Sequence, residues 1–189
     1  MTNSLRIRFI NYLAKRNIKK ESGFTLVELI VVVVIIGILS AIAIPSFNNA
    51  SDKAKQKEAS TLLASYAKAA QAFYTENSEV ADSVSDLNQY ITVAACTSNN
   101  SQTCKTSQTT SITGLQWNSP TGMYVIQMAA DQTSTSFTAT PKSGWNGYPV
   151  ASVFCTSTGS TILNEGNTKG AAASIPTCPG QQQPAPILP

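Results

Sequence analysis

A long apolar run near the start of the chain is its strongest pattern. The 21 residues from Phe24 to Ile44 are almost all apolar, and Glu28 is the one formal charge among them. At about 1.5 Å of rise per residue, a helix of this length extends about 31 Å, close to the thickness of a bilayer's hydrocarbon core. The run therefore predicts a membrane-spanning helix with one carboxylate near its N-terminal end, and that carboxylate needs a partner charge.

Helical periodicity continues beyond the apolar run. Apolar side chains recur mostly three or four residues apart between positions 46 and 76, and charged side chains occupy other positions. Pro45 is a helix breaker, and Gly37 is a weaker point eight residues earlier. We expect one helix over residues 24–76, apolar all round in its first half and amphipathic in its second. Its predicted packing face consists of Phe47, Ala50, Ala54, Leu62, Tyr66, Ala70 and Phe73.

The pattern changes after Asn77. Residues 79–111 are mostly polar and predict a loop region, with one short helix near residues 84–90. Short runs with strand character and turn signals follow. The predicted strands are Ile112–Trp117, Met123–Ala129, Ser136–Thr140, Val150–Cys155 and Ser160–Leu163. A long helix followed by several strands indicates an α+β fold, in which an antiparallel sheet packs against the long helix.

Charge divides the chain into parts. Residues 1–23 carry six basic residues and one acidic residue, whereas the remainder carries seven basic and nine acidic residues. Basic residues before a membrane helix stay in the cytoplasm, so we expect the N-terminus inside and everything after Ile44 outside. The mildly acidic remainder argues against direct nucleic-acid binding. We expect a basic leader at 1–23, a membrane half-helix at 24–45, a head domain at 46–179 and a flexible tail at 180–189.

The chain has no histidine and four cysteines. The lack of histidine removes the commonest general base and metal ligand, so we expect no enzyme activity, no metal site and no cofactor. The cysteines lack the close spacing of zinc sites, and an even number in a Ser/Thr-rich region outside the membrane favours disulfides. Three connectivities are open. We favour Cys96 with Cys104 and Cys155 with Cys178, because each pair closes a short loop, and free or metal-bound thiols are the alternative.

Two ordinary explanations compete for the apolar run. Ala41-Ile42-Ala43 matches a signal-peptidase site, and cleavage there would release a soluble protein. The run is long for a signal peptide, however, and helical patterning continues past it. A plain single-pass anchor is the other explanation, but it leaves Glu28 without a purpose.

The stretch Gly23-Phe24-Thr25-Leu26-Val27-Glu28, with the apolar run, Gly37 and Pro45, resembles the type IV pilin family and the related type II secretion pseudopilins. The resemblance implies that a prepilin peptidase cuts between Gly23 and Phe24 and that Phe24 becomes N-methylated. It also implies that Glu28 pairs with the Phe24 amine of a neighbouring subunit. Two simpler roles for Glu28 are complementing the helix dipole and pairing with its own Phe24 amine. The 23-residue leader is longer than in short-leader pilins that also begin with Phe.

The resemblance also implies a function. The expected protein is a structural subunit of a type IV pilus, serving adhesion, twitching motility or DNA uptake, and a pseudopilin of a type II secretion system is the alternative. It implies a homo-oligomeric helical filament, contact with the prepilin peptidase/methyltransferase and the inner-membrane assembly machinery, and transfer from the inner membrane to an extracellular pilus. Gly37 and Pro45 bracket a segment that could unwind in the filament, although Pro45 could also simply kink the helix. A secreted enzyme or binding domain is the remaining class.

Overall fold

The computed structural model describes residues 23–97, 104, 108–110, 112 and 114–180. The expected leader, apart from Gly23, and the expected tail, apart from Gly180, lie outside this part of the chain. The chain divides between Ser46 and Phe47 into two compact units.

One helix, α1, runs for 52 residues from Leu26 to Asn77. It begins at a Thr25 cap and ends where Ser78 takes a positive φ of 58°, a conformation that cannot continue a right-handed helix. The Ser78 amide still donates to the Tyr74 carbonyl, at 2.8 Å. The long helix expected from the sequence is confirmed, with bounds that differ by only one or two residues.

The head contains a five-stranded antiparallel sheet in which each strand pairs with the next along the chain. This order follows from short connections, which favour pairing between consecutive strands. A separate two-stranded sheet joins β1 and β2. The strands are β1 Ala95–Cys96, β2 Gln108–Thr109, β3 Gln116–Asn118, β4 Tyr124–Ala130, β5 Ser134–Pro141, β6 Val150–Cys155 and β7 Ser160–Glu165.

The second half of α1 packs against this sheet. Its buried face includes Leu63, Tyr66, Ala67 and Ala70, and the facing strands alternate, so that Tyr124, Ile126 and Met128 are buried on β4. Strand β6 is buried along its whole length because it is sheltered on both faces. The expected α+β fold, with an antiparallel sheet on a long helix, is confirmed.

The helix and the sheet are also joined by polar contacts. The buried Ser152 hydroxyl on β6 donates to the Leu63 carbonyl of α1 at 3.0 Å. Gln56, which is 1% exposed, donates from its amide to the carbonyls of Gly166 and Pro149, at 2.8 and 3.3 Å. Because buried polar groups are costly unless paired, these bonds fix how the helix sits on the sheet.

Three sequence expectations were wrong in detail. Phe47, Ala50 and Ala54, predicted to pack, are exposed, and burial on α1 begins at Gln56. The apolar spacing of α1 begins at Phe47, but the part of the helix that the sheet covers begins only at Gln56. The region predicted as loop contains the β1–β2 pair, whose strands of two residues each are too short to produce a periodic pattern.

The predicted first strand of the main sheet was also wrong in its position. It was expected at Ile112–Trp117, but β3 covers only Gln116–Asn118. Gly114, at a φ of 101°, bends the chain just before it. The short helix α2 covers Val84–Leu87 and is closed by a capping box between Ser83 and Asp86, as its sequence position suggested.

Candidate assembly segment

The start of α1 is organised around Glu28. The Glu28 carboxylate accepts hydrogen bonds from both the backbone N–H and the hydroxyl of Thr25, each at 2.9 Å. The Thr25 hydroxyl oxygen in turn accepts from the Glu28 backbone N–H at 3.2 Å. This reciprocal pair is a capping box, which satisfies amide donors that the first turn of a helix leaves without partners.

The capping box gives Glu28 a partner within its own chain. Sequence reasoning considered a dipole effect or the Phe24 amine but missed Thr25, although the Thr-x-x-Glu spacing carries the signal. Gly23 and Phe24 precede the helix in an exposed position. The Phe24 nitrogen is an amide as long as Gly23 precedes it, and the pairing of Glu28 with a free amine stays a prediction.

Apolar side chains cover the first half of α1 on all sides. The large ones from Leu26 to Phe47 are each between 47% and 75% exposed. An 18-residue window of this helix has a mean hydropathy of 3.0 and lies near the N-terminus. Length and composition therefore suit a helix that crosses a membrane or packs against other apolar helices.

Gly37 and Pro45 both lie inside the unbroken helix. Proline has no N–H, so the helix lacks one backbone hydrogen bond at Pro45, and glycine weakens the helix at Gly37. In the single chain neither residue ends α1. Unwinding between them in a filament stays a prediction.

Two disulfides occur in the head, between Cys96 and Cys104 and between Cys155 and Cys178. The second forms a small buried cluster with Val153, separate from the main core. It ties residues 166–178 to the end of β6. Among the residues that the structure describes, no group of three or more Cys, Asp or Glu side chains could hold a metal ion.

A second polar centre follows the apolar segment along α1. One Asp52 carboxylate oxygen accepts from the indole N–H of Trp145 at 3.0 Å, and the other accepts from Lys169 at 2.5 Å. The hydrogen bond from Lys169 lowers the pKa of Asp52, against the opposing effect of burial. The same bond raises the pKa of Lys169. Sequence reasoning missed this centre because its members lie 93 and 117 residues apart.

Comparison with known proteins bears on the N-terminal segment. Residues 18–44 match the family described as the prokaryotic N-terminal methylation motif. The type IV major pilin protein PilA of Myxococcus xanthus is 43% identical over 68 residues, which are 36% of this chain and 31% of that protein. The chain therefore carries this motif at residues 18–44 and is similar to type IV pilins over about a third of its length.

Other relatives also match only a part of this chain. The type IV narrow pilus major component PilA5 of Thermus thermophilus is 57% identical over 37 residues, which are 20% of this chain and 32% of that protein. The type II secretion system core protein G of Vibrio cholerae is 36% identical over 63 residues, which are 33% of this chain and 43% of that protein. The chain thus spans less than half the length of these relatives. No solved structure matches it.

Proposed function

We propose that the protein is a structural subunit of a type IV pilus. A prepilin peptidase cuts it between Gly23 and Phe24, Phe24 is N-methylated, and the apolar half of α1 then forms the filament core. The head domain faces outward. The single observation that carries this proposal is an exposed apolar half-helix with one carboxylate, placed four residues after a cleavage motif.

The physical argument concerns the cost of Glu28. A carboxylate at the centre of the hydrocarbon costs about 2.5–3.5 kcal/mol, and less near the interface. The Thr25 bonds offset part of this cost while the subunit waits in the membrane. Cleavage creates an ammonium group at Phe24. In the filament, this group on one subunit pairs with Glu28 of the next and sets the axial register.

The proposal includes location and partners. The leader stays cytoplasmic, the head lies outside the inner membrane, and the subunit passes through the inner-membrane assembly machinery into an extracellular helical filament. The filament serves adhesion, twitching motility or DNA uptake. A pseudopilin of a type II secretion system is the second candidate, favoured by the match to the Vibrio cholerae protein.

Glu28→Gln tests the register role because it separates charge from capping. Glutamine preserves the capping box, since its amide oxygen still accepts from Thr25, but it cannot form the ion pair. We expect Glu28→Gln and Glu28→Ala both to be cleaved and methylated normally, and each to weaken subunit association about tenfold or more. Mass spectrometry of the mature N-terminus measures processing, and electron microscopy of sheared filaments measures assembly.

Thr25→Ala is the matched control. It removes the hydroxyl of the capping box but keeps the carboxylate, so we expect filaments to persist. Normal filaments from Glu28→Gln would reject the register role and leave capping as the function of Glu28. A mature protein that begins at Ile44 would instead indicate signal peptidase and reject the pilus proposal. Filaments visible on the cell surface separate a pilin from a pseudopilin.

A further inference from the structure

Lysines and aromatic rings are stacked around Asp52. The Lys53 ammonium lies 3.8 Å from the centre of the Tyr148 ring, and Lys169 lies 5.4 Å from the same ring. Lys55 lies 4.7 Å from the Trp145 ring. We call this group the basic–aromatic cluster: Asp52, Lys53, Lys55, Trp145, Tyr148 and Lys169. Its three lysines and one aspartate leave it with a positive charge.

The rings of the cluster are half-buried and held in place. Trp145 is fixed by its bond to Asp52 and by an edge-on contact with Tyr124, at 5.2 Å between centroids. The Tyr124 hydroxyl donates to the Tyr148 carbonyl at 3.0 Å. Tryptophan, tyrosine and lysine side chains anchor proteins at the membrane–water interface, because each has an apolar part that contacts lipid and a polar end that stays in water.

Charge is distributed unevenly along the head. The Thr135 hydroxyl at the start of β5 donates to the Ala81 carbonyl, which places that end of the sheet beside an acidic region. The acidic residues of that region are Glu76, Glu79, Asp82, Asp86 and Asp131. The basic–aromatic cluster lies beyond the other end of β5, whose eight residues extend about 26 Å. The head therefore has a basic end and an acidic end.

The basic end comes first after the apolar segment. Phe47 is the last of the exposed large apolar residues on the first part of α1, and Asp52 follows five residues later. Five residues of helix rise about 7.5 Å, which is the depth of the lipid headgroup layer. Along α1, the cluster therefore begins within about one headgroup depth of the last exposed large apolar residue.

We propose that the basic–aromatic cluster is a docking surface for anionic phospholipid headgroups, which holds the head on the membrane before assembly. This inference rests on the membrane-inserted state in the proposed function. The cluster's place soon after the apolar segment in the sequence, its positive charge, and the position of the acidic residues at the far end of the head all favour a lipid surface. A second copy of the chain is the competing partner.

Trp145 provides the test because it belongs to the cluster, whereas Trp117 is only 6% exposed in the core. The full chain is inserted into vesicles of phosphatidylcholine, with or without phosphatidylglycerol, and flotation establishes insertion. A phosphatidylcholine with a nitroxide on its headgroup then quenches tryptophan fluorescence. We expect stronger quenching with phosphatidylglycerol, and loss of that increment in 1 M salt, where the screening length is about 3 Å.

Lys53→Gln and Lys68→Gln form the matched pair. Both lysines are exposed on α1, but Lys68 lies 15 residues beyond Lys53 and outside the basic–aromatic cluster. We expect Lys53→Gln to reduce the ratio of docked to undocked heads about fivefold and Lys68→Gln to leave it unchanged. Trp145→Phe should abolish the increase in quenching that phosphatidylglycerol produces. That result would show that the signal comes from the tryptophan of the cluster.

Each other outcome overturns the inference. Equal quenching in both vesicle types, or an equal effect of Lys68→Gln, excludes a headgroup-specific surface. Quenching that rises with protein density at fixed lipid composition, and contacts between copies that Lys53→Gln weakens, assign the surface to a second copy. A chain that inserts but shows no lipid dependence leaves the pilus proposal standing, whereas a chain that does not float overturns both.

Discussion

Glu165 shows how a single carboxylate fastens the helix to the sheet. It lies at the end of β7 and accepts hydrogen bonds from Lys57 at 2.8 and 3.0 Å and from Ser60 at 2.7 Å. These bonds lower the pKa of Glu165 below its ordinary value of 4.5, against the effect of burial. Together with the Gln56 bonds, they join the first buried turns of α1 to the last strand.

Glu165→Gln should therefore destabilise the protein in a pH-dependent way. Because the folded-state pKa is lower than the unfolded one, the stabilisation is present above pH 4.5 and is lost as pH falls through the folded-state pKa. We expect the substitution to cost about 1 kcal/mol at neutral pH and nothing at strongly acidic pH. Urea unfolding in detergent micelles, followed by tryptophan fluorescence, measures it.

The exposed Glu79 supplies a comparison for that measurement. Glu79→Gln removes the same charge from an exposed position. We therefore expect it to shift the urea midpoint, and the pH dependence of that midpoint, much less than Glu165→Gln does. A Glu165→Gln penalty that persists unchanged in acid would show that packing, rather than the carboxylate charge, holds this position.

At the scale of elements, sequence reasoning succeeded where the pattern is long and failed where it is short. The helix over residues 24–76 could be predicted because its apolar run and its periodicity extend over many turns. Strand β6 was placed at the correct residues, since Val150–Cys155 is bounded by turn signals. Strands β1 and β2 have two residues each, too few to show an alternating pattern.

The candidate site was predictable only in its local part. The motif from Gly23 to Glu28 is contiguous, so its chemistry can be read along the chain. The Thr25 cap could also have been predicted from the Thr-x-x-Glu spacing. The Asp52 centre depends on Trp145 and Lys169, which only the folded sheet brings near α1. No local pattern specifies which of the lysines in the chain meets that carboxylate.

Gln56 tests the junction between elements. Gln56→Ala removes both bonds to the carbonyls of Pro149 and Gly166 and leaves a cavity in a site that is 1% exposed. Unpaired buried polar groups cost about 1–3 kcal/mol, so we expect a loss of stability in that range. Thermal unfolding followed by circular dichroism measures it. Lys68→Ala, on an exposed position of the same helix, should change stability by less than about 0.5 kcal/mol.

At the scale of the whole molecule, two disulfides reinforce a head that has few charged residues and long Ser/Thr-rich connections. The Cys155–Cys178 bridge closes a loop with a sequence separation of 23, and the Cys96–Cys104 bridge closes one of 8. Loop entropy predicts that the longer closure contributes more to stability, because it restricts the unfolded chain more strongly.

Replacing both cysteines of each pair with alanine tests this order. We expect a loss of about 3.5 kcal/mol for Cys155→Ala with Cys178→Ala, and about 2.5 kcal/mol for Cys96→Ala with Cys104→Ala. Urea unfolding of the two double variants beside the parent chain gives the comparison. The reverse order would mean that native packing around Cys96, rather than loop closure, dominates the contribution of the bridges.

The exposed apolar half of α1 has a consequence for how subunits travel. Exposing this apolar helix to water costs a large free energy. The subunit therefore has no stable water-exposed state between the bilayer and a filament. If the chain assembles as proposed, every subunit added to a growing filament is withdrawn from lipid, and every subunit released by shortening returns there. Under the proposed function, the membrane then holds the store of subunits, and the size of that store limits how long the filaments can grow.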